Sequence, residues 1–205
     1  MYLSKLELNL RSKDVRRDLA DCYQMHRTLY KLVPDKMDNA TDRVIYRIED
    51  YNISPQYREK KTISVLIVSE LAPDLNKLPD NYVVSCQQLD YKSKIQHLNN
   101  GDKLKFLLRA NPTKKVDKKR ISIIKYDDRV KWLIHKAENH GFKVIDVNVS
   151  GEGAKSSPSK QSHQLTFNSV VYNGILEIVE IVQFKQTLFN GIGSAKAFGF
   201  GLITI

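Results

Sequence analysis

Three residues within the stretch 21–31 could together perform acid–base chemistry: Tyr23, His26 and Lys31. A histidine, with an ordinary pKa of about 6.5, can donate or accept a proton at neutral pH. A tyrosine hydroxyl can orient a ribose hydroxyl or exchange a proton with it, and a lysine can stabilise charge that develops on a phosphorane. This set suits attack of a 2′-OH on the adjacent phosphate, although a tyrosine and a histidine on one helical face also fit an ordinary packing role.

A short helix must position these three side chains. Asp21 has the residue type of a helix N-cap, and Pro34 would end the helix soon after Lys31. Tyr23 and His26 are three residues apart, so a helix places them on one face, about one turn from each other. Lys31 follows His26 by five residues and reaches the same site only if the helix ends within the three residues before it.

Positive charge is concentrated in the third quarter of the chain. The formal net charge is +10, and residues 101–160 carry 15 Lys and Arg against 7 Asp and Glu. The corresponding counts are 16 against 14 in residues 1–100 and 2 against 2 in residues 161–205. Such a basic segment favours a polyanionic partner, with nucleic acid first among them, and a lysine-rich solvated surface is the alternative.

Composition and the spacing of cysteines and histidines exclude several classes of protein. The chain is 41% hydrophobic and 27% charged, as in folded globular domains, and no run of about 18 apolar residues could span a membrane. The N-terminus lacks the basic region and apolar core of a signal peptide. Cys22, Cys86 and the scattered histidines form no disulfide framework or zinc spacing, and no Walker loop or nucleophile elbow occurs. We therefore expect a cytoplasmic protein with no metal, no cofactor and no membrane partner.

Hydrophobic periodicity predicts a first domain over residues 1–90 that mixes strands with helices. Strands are predicted at 2–10, 43–50, 61–69 and 82–86, with a helical turn at 12–19, the helix at 21–31 and a hairpin loop at 52–57. The polar segment 91–102 is predicted to be a linker.

The same mixture returns in a predicted second domain, residues 103–205. Strands are predicted at 103–110, 120–124, 142–150 and on both sides of a turn at 172–174, helices at 127–139 and 181–190, and loops at 111–119 and 151–162. The helix at 127–139 is expected to bury one face, made of Val130, Leu133, Ile134 and Ala137. Two such halves, without regular βαβ alternation, favour an α+β fold of two tandem ferredoxin-like (RRM-like) domains.

A glycine-rich segment, residues 191–201, follows the last predicted helix. It fails as a dinucleotide fingerprint, because Lys196 takes the place of the third glycine and no βαβ unit follows. Gly191 and Gly193 permit a tight loop whose N–H groups could approach a phosphate, with Lys196 adding charge. A purely structural turn is the alternative.

The glycine-rich segment continues with large apolar residues that alternate with glycines. The apolar residues are Phe198, Phe200 and Leu202, and the glycines are Gly199 and Gly201. Such alternation predicts a terminal strand with one packed face and one bare face, which would let another backbone come close.

Four pieces of the sequence, taken together and in order, resemble the CasE-type CRISPR RNA endoribonucleases of type I-E CRISPR–Cas systems. They are Met1-Tyr-Leu-Ser-Lys-Leu with Arg17-Asp-Leu, Tyr23-Gln-Met-His-Arg-Thr-Leu, Leu108-Arg-Ala-Asn-Pro-Thr-Lys, and Gly191-Ile-Gly-Ser-Ala-Lys-Ala-Phe-Gly-Phe-Gly-Leu. Each piece alone is weak evidence for the resemblance. All four at these positions, across nearly the whole chain, are specific.

The resemblance implies an enzyme that cuts the repeat hairpin of precursor CRISPR RNA without a metal, leaving 5′-OH and 2′,3′-cyclic phosphate ends. It also implies that the enzyme stays on the mature guide as a subunit of the Cascade complex, so the expected partners are this RNA and other Cascade subunits. By position, His26 and Tyr23 match the family's catalytic histidine and tyrosine. Lys31 falls where some members place a further active-site residue.

The resemblance further implies RNA contacts from Arg27, beside the catalytic motif, and from two loops, 114–120 and 154–160, that would grip the stem. Such loops mostly read the backbone and shape of A-form RNA. The second loop has fewer arginines than the family's RNA-gripping hairpin often has. The expected RNA-binding residues are Arg27, Arg109, Lys114, Lys115, Lys118, Lys119, Arg120, Lys155, Lys160 and Lys196, with a Gly-rich loop at Gly191, Gly193, Gly199 and Gly201.

Two other functions compete with this interpretation. A non-catalytic RNA-hairpin-binding subunit of the same complex would bind the hairpin tightly without cutting it. A generic RRM-like binder of single strands is disfavoured, because no RNP-type aromatic strand occurs and Phe198-Gly-Phe200 is the nearest match.

Overall fold

A computed structural model of the chain describes residues 1–32, 44–49, 61–157 and 165–205. The chain divides into two compact units. Unit 1 comprises Met1–Lys94 and Ala197–Gly199, and unit 2 comprises Ile95–Lys196 and Phe200–Ile205. Unit 1 is therefore built from two separate parts of the sequence.

Unit 1 is a four-stranded antiparallel sheet with helices between its first two strands. In chain order its elements are β1 (Tyr2–Asn9), α1 (Lys13–Ala20), α2 (Cys22–Tyr30), β2 (Ile45–Ile48), β3 (Thr62–Ser69) and β4 (Val83–Asp90). The sheet order is β2-β3-β1-β4. A 3₁₀ turn at Leu75–Lys77 lies between β3 and β4. The helix α3 (Tyr91–Ile95) follows β4, within the segment predicted as a linker.

The core of unit 1 forms because alternate residues of the central strands point to one side of the sheet. Leu6 and Leu8 on β1 are fully buried and lie opposite Val65 and its neighbours on β3. The helix α2 covers this side with Met25 and Leu29, which are also fully buried. Four residues separate this helical pair, so both fall on the same face of α2.

Unit 2 has the same strand order with an added hairpin. Its elements are β5 (Lys103–Ala110), β6 (Thr113–Val116), β7 (Lys119–Ser122), α4 (Tyr126–Glu138), β8 (Phe142–Ser157), β9 (Leu165–Ile178), α5 (Ile181–Asn190) and β10 (Ile203–Thr204). The main sheet is antiparallel in the order β10-β5-β9-β8, and β6 and β7 form a separate two-stranded sheet. In each unit the first strand lies between the third and fourth main strands. The predicted α+β fold with two ferredoxin-like units is confirmed.

The buried face of α4 is not the predicted one, because it is shifted around the helix axis so that it includes Trp132 and leaves out Ile134. Trp132, Leu133 and Ala137 are buried, whereas Ile134 is 45% exposed. The Trp132 ring stacks on the buried ring of Tyr172, with centroids 5.8 Å apart. The large indole therefore takes the inward position that the prediction gave to Ile134.

The predicted turn at 172–174 is wrong. β9 runs without a break from Leu165 to Ile178, and Gly174 pairs with Val147, close to a β-bulge in β8 between Val144 and Asp146. A Cβ atom on Gly174 would collide with the backbone carbonyl of Asp146. The glycine is needed there because two strands approach closely, a requirement that gives the same Asn-Gly signal as a hairpin turn.

Two predicted loops of unit 2 contain strand structure. The loop at 111–119 contains β6 and the start of β7, whose partner is β6 and not the main sheet. The loop at 151–162 is strand as far as Ser157, because β8 continues its pairing with β9 beyond a second bulge, between Gly151 and Gly153. The predicted hairpin loop at 52–57 lies outside the described residues.

The predicted terminal strand is also wrong over most of its length. A 3₁₀ turn occupies Lys196–Phe198, and only Ile203–Thr204 pair with β5. Gly199 and Gly201 have φ angles of 85° and 87°, which lie in the left-handed region and interrupt an extended strand. Within the described ranges, no helix is long and apolar enough to cross a membrane.

Candidate active site

The helix α2 is fixed at both ends by local interactions. At its start, the Asp21 carboxylate accepts a hydrogen bond of 2.9 Å from the backbone N–H of Tyr23, as expected of an N-cap. At its end, Tyr30 is the last helical residue and Lys31 is the C-cap. The predicted helix over 21–31 is thus present within one residue at each end.

A buried polar contact ties the α1–α2 corner to the chain before β4. The Tyr82 hydroxyl donates a 2.8 Å hydrogen bond to the carboxylate of Asp18, which is fully buried and also pairs with Arg17 at 2.8 Å. Burial, followed by the charge of Asp18, raises the pKa of Tyr82 well above its ordinary value, so the phenol remains a donor. Because Tyr82 also contacts the Met25 sulfur at 3.6 Å, the contact holds α2 as well as α1.

The side chains of α2 divide into a core face and an exposed face. At about 100° per residue, five side chains fall within a sector of roughly 140°. In order around the helix they are His26, Tyr30, Tyr23, Arg27 and Lys31. The opposite side carries the buried residues of the helix. The predicted catalytic residues therefore share one face, with His26 at one edge of it and Lys31 at the other.

His26 is half-buried and is held by two aromatic rings. The Tyr30 ring lies with its centroid 5.8 Å away and tilted by 52°, and the Phe198 ring lies 6.4 Å away in an edge arrangement at 67°. The Nδ1 atom is buried and has no hydrogen-bond partner among the described residues. Burial lowers the pKa of His26 below its ordinary value of 6.5, so the imidazole is neutral at pH 7. Nε2 is the nitrogen left to exchange a proton with a substrate.

Phe198 lies against His26, a contact that the sequence predictions missed. The short segment Ala197–Gly199 groups with unit 1, and a Cβ atom on Gly199 would lie 3.0 Å from the Tyr46 ring, which is fully buried. Glycine at 199 thus allows this segment to lie close against Tyr46. The one available signal was a large apolar residue placed between glycines in a segment that also carries a lysine.

Lys31 meets the stated condition for joining His26, but its backbone still directs it away from that residue. The helix does end at Tyr30, as that condition required. However, Lys31 has φ −64° and ψ −21°, which are helical torsions, so it continues the helical path and points about 140° away from His26. Its side chain is exposed, and an active-site role for it stays a prediction.

The four glycines of the C-terminal segment all adopt positive φ angles, from 67° to 87°. The segment closes on itself through a 2.8 Å hydrogen bond from the Ile192 N–H to the Gly201 carbonyl. The Gly201 N–H in turn donates to the Arg109 carbonyl at 2.7 Å. These contacts account for Gly201 structurally, since a Cβ atom there would come within 2.7 Å of the Ile192 carbonyl oxygen. Lys196 is partly buried at the start of the 3₁₀ turn.

Arg109, predicted to contact RNA, forms a buried ion pair within unit 2, and its contact with RNA stays a prediction. Its guanidinium is buried against Glu152, with Nε 2.8 Å from one carboxylate oxygen and a second nitrogen 3.0 Å from the other. The Ser169 hydroxyl donates a 2.5 Å hydrogen bond to the same carboxylate. The charge of Arg109 is therefore neutralised inside unit 2.

The β6–β7 hairpin presents the predicted basic residues to solvent. Lys114, Lys115, Lys118, Lys119 and Arg120 are all exposed. Lys115 lies directly opposite Arg120 in the register, and Asp117 and Lys118 form the two-residue turn with φ of 45° and 65°. Like charges placed opposite one another destabilise a hairpin. A polyanionic ligand that neutralises both charges would explain why the hairpin carries them.

Three further residues were predicted to contact RNA: Arg27, Lys155 and Lys160. Arg27 is exposed on α2 beside the aromatic residues. The backbone of Lys155 pairs with Phe167 near the end of β8. Lys160 lies outside the described residues. Within the part of the chain that the structure describes, no group of three His, Cys, Asp or Glu side chains could hold a metal ion.

Comparisons with known proteins agree over the whole length of the chain. A family model described as "CRISPR associated protein" matches residues 1–205. The CRISPR-associated endoribonuclease Cse3 of Thermus thermophilus is 31% identical over 218 residues, covering 100% of this chain and 99% of that protein. The Cascade subunit CasE of Escherichia coli is 28% identical over 219 residues, covering 100% and 98%.

Solved structures show the same architecture. Cse3 bound to a 19-nucleotide RNA superposes with a TM-score of 0.85 at 30% identity, over 100% of this chain and 99% of that one. Cas6e from E. coli superposes with a TM-score of 0.72 at 26% identity, over 100% and 98%. The family match over all residues, the full-length relatives and the shared fold lead to one conclusion: the chain belongs to the CasE-type family of CRISPR-associated proteins.

Proposed function

We propose that the chain is a metal-independent endoribonuclease that cuts the repeat hairpin of precursor CRISPR RNA and stays bound to the product as a Cascade subunit. The observation that carries the proposal is the setting of His26. Its imidazole is half-buried between the rings of Tyr30 and Phe198, on a helix face that also presents Tyr23 one turn away. The relatives named as a CRISPR endoribonuclease and a Cascade subunit support the substrate and the assembly.

The reaction is an intramolecular transfer within the RNA backbone. The 2′-oxygen loses its proton and attacks the adjacent phosphorus, and the bond from phosphorus to the 5′-oxygen breaks. The leaving 5′-oxygen takes up a proton from solvent, so the products carry a 2′,3′-cyclic phosphate and a 5′-OH. His26, neutral because burial lowers its pKa, is in the form that accepts the 2′-OH proton as a general base. The Tyr23 hydroxyl orients the reacting ribose, and Arg27 and Lys31 stabilise negative charge on the phosphorane.

The basic β6–β7 hairpin is proposed to hold the RNA stem. Five exposed cations on eight residues, Thr113–Arg120, make a concentrated positive surface. The grooves and 2′-hydroxyls of an A-form stem are recognised mainly by shape and by phosphate contacts, which flexible lysines can supply. Binding of this kind predicts a steep salt dependence with little dependence on stem sequence.

Cleavage of the cognate repeat hairpin tests the proposal directly. The chain should cut the hairpin in EDTA, fail on a hairpin with a 2′-deoxy nucleotide just before the cut, and lose roughly 10²–10⁴-fold in rate in His26→Ala. Hairpin affinity should be retained in His26→Ala. His135→Ala is the matched control, because this histidine is exposed on α4.

Two outcomes would contradict the proposal. Cleavage that requires Mg²⁺ and tolerates the 2′-deoxy nucleotide would exclude 2′-OH attack. Tight hairpin binding with no cleavage under any condition would instead identify a non-catalytic, guide-capping subunit.

A further inference from the structure

We infer that Tyr30 is a stacking platform for an unpaired nucleobase, at the nucleotide that adjoins the scissile bond. The inference rests on the proposed function, since it places an RNA substrate on α2. It assigns a binding role to a residue that takes no part in the proposed reaction, and it names the ligand by chemistry: an unstacked base of single-stranded RNA.

Apart from its packing against His26, Tyr30 has no structural role among the described residues that would explain its residue type. Its side chain is 53% exposed on the last residue of α2. Its hydroxyl makes no hydrogen bond within the described ranges of the chain. The buried residues of the helix, Met25, Thr28 and Leu29, occupy the opposite side. Among the aromatic rings of the described residues, that of His26 lies against the Tyr30 ring.

The surroundings of Tyr30 have the charge pattern of a single-strand binding surface. Arg27 lies one turn before it, Lys31 follows it directly, and both cations are exposed. Single-stranded nucleic acid is bound by aromatic side chains that stack with bases, combined with cations that follow the phosphates. One half-exposed aromatic ring set between two cations complements a nucleotide better than it does an apolar protein partner.

The contact with His26 decides which nucleotide would bind. Because the ring centroids of Tyr30 and His26 are 5.8 Å apart, a base stacked on Tyr30 belongs to a nucleotide next to the phosphate that His26 acts on. Bases within the stem are already paired and stacked on their neighbours, so the platform takes an unpaired base that flanks it. Every base has a π-face, so the identity of this base should matter little.

Fluorescence of a base analogue provides the test. The RNA is the cognate hairpin with its unpaired flank, 2-aminopurine just after the cut, and a 2′-deoxy nucleotide just before it to prevent cleavage. Binding should quench the fluorescence with the wild-type chain and with Tyr30→Phe, which keeps the ring. Tyr30→Ala and Tyr30→Leu, which lack a ring, should abolish the quenching. The leucine variant retains a large side chain and a high helix propensity, so any effect it has reflects loss of the ring and not unfolding of α2.

Affinity measurements give a second, independent readout. Tyr30→Leu should bind the flanked hairpin about 5- to 150-fold more weakly than wild type and bind a hairpin trimmed of its flank with unchanged affinity. Tyr126→Ala is the matched control: this tyrosine is also 53% exposed and lies on α4 in unit 2. It should leave quenching and both affinities unchanged.

The results separate this inference from the proposed function. Quenching that persists in Tyr30→Leu, or an equal loss of affinity for flanked and trimmed hairpins, would overturn the stacking site while leaving the nuclease intact. Normal Tyr30-dependent quenching without cleavage of an unblocked hairpin would uphold the stacking site and contradict the catalytic proposal.

Discussion

His26 owes its orientation to packing. In many catalytic sites a hydrogen bond to one ring nitrogen fixes the tautomer and the plane of a histidine. Here the buried Nδ1 has no such partner among the described residues, and the rings of Tyr30 and Phe198 lie against the imidazole. Burial both restricts the ring and lowers its pKa, so one feature of the packing sets position and protonation state together.

The first prediction concerns the pH dependence of His26. Because burial disfavours the charged imidazole, its titration followed by NMR should have a midpoint below 6.5, with the neutral form above that midpoint. If the neutral form is the base, the rate of cleavage should rise as the pH rises through the same midpoint. Phe198→Ala removes part of the apolar cover and should move the midpoint upward toward 6.5. A midpoint at or above 6.5 in the wild-type chain would contradict this account.

The second prediction concerns the buried Arg109–Glu152 pair. Glu152→Ala leaves a buried guanidinium without its carboxylate, which should lower the free energy of unfolding by about 3–5 kcal/mol. The matched control is Lys143→Ala, which breaks the 2.8 Å pair with Glu177 between β8 and β9, where the lysine side chain is exposed. Exposed pairs contribute about 0–1 kcal/mol. Equal losses in chemical denaturation of the two variants would show that the buried pair has no special structural role.

Arg109 also shows what sequence cannot reveal about a charged residue. An arginine in a basic chain predicts a contact with RNA, because charge is visible in the sequence and its partner is not. Glu152 is 43 positions away and becomes a neighbour only when β5 and β8 join the same sheet. Tyr23 and His26 were easier to place, because their relation depends on a spacing of three within one helix.

At the scale of elements, the β6–β7 hairpin has a charge pattern that is unfavourable for its own stability and favourable for binding RNA. Lys115 and Arg120 face each other across the two strands. Their repulsion weakens the free hairpin, and contacts with phosphates would relieve it. We therefore regard the hairpin as a binding element whose charge pattern reflects its ligand more than its own stability.

The third prediction follows for the double variant Lys115→Ala/Arg120→Ala. If both cations contact phosphates, the slope of log affinity against log salt should become shallower by about one for each charge removed. The unfolding free energy should not decrease, because the substitutions remove a repulsion. Lys92→Ala/Lys94→Ala removes the same charge from exposed positions on α3 and should leave the slope unchanged. An unchanged slope in the hairpin variant would exclude these phosphate contacts.

The elements predicted best from sequence are those whose hydrophobic periodicity fits only one type of secondary structure. The strand at 103–110 and the helix at 181–190 were predicted with the bounds that the structure has. The failures involve glycine. Gly174 and Gly199 were taken as parts of a turn and a strand, but they allow close approach to Asp146 and to Tyr46. A glycine in the sequence can indicate that another group approaches the backbone closely, but it does not identify that group.

At the scale of the whole molecule, the two units share a strand order without a visible sequence repeat. Both place their first strand between their third and fourth main strands. The pattern of elements is enough to predict this, because few arrangements bury one face of a four-stranded antiparallel sheet. The pattern does not predict that residues 197–199 group with unit 1. That contact depends on side-chain fit between segments far apart in sequence.

The fourth prediction tests this long-range contact. Phe198→Ala should raise amide hydrogen exchange in α2, because it removes a ring that lies against His26. The matched control is Phe200→Ala. Phe200 packs on Phe167 in unit 2, with centroids 5.6 Å apart, and its loss should raise exchange in β9 and leave α2 unchanged. Unaltered exchange of α2 in Phe198→Ala would show that the contact adds nothing to the stability of the helix.

The return of residues 197–199 to unit 1 has a consequence for synthesis on the ribosome. Domains generally fold in order as they emerge, so the strands and helices of unit 1 can assemble while later residues are still being translated. His26, however, lacks the ring of Phe198 until the Ile95–Lys196 part of unit 2 has been translated. For most of its synthesis, the nascent chain therefore has His26 without the Phe198 ring packed against it. Ribosome-bound chains stalled before residue 197 should show little nuclease activity.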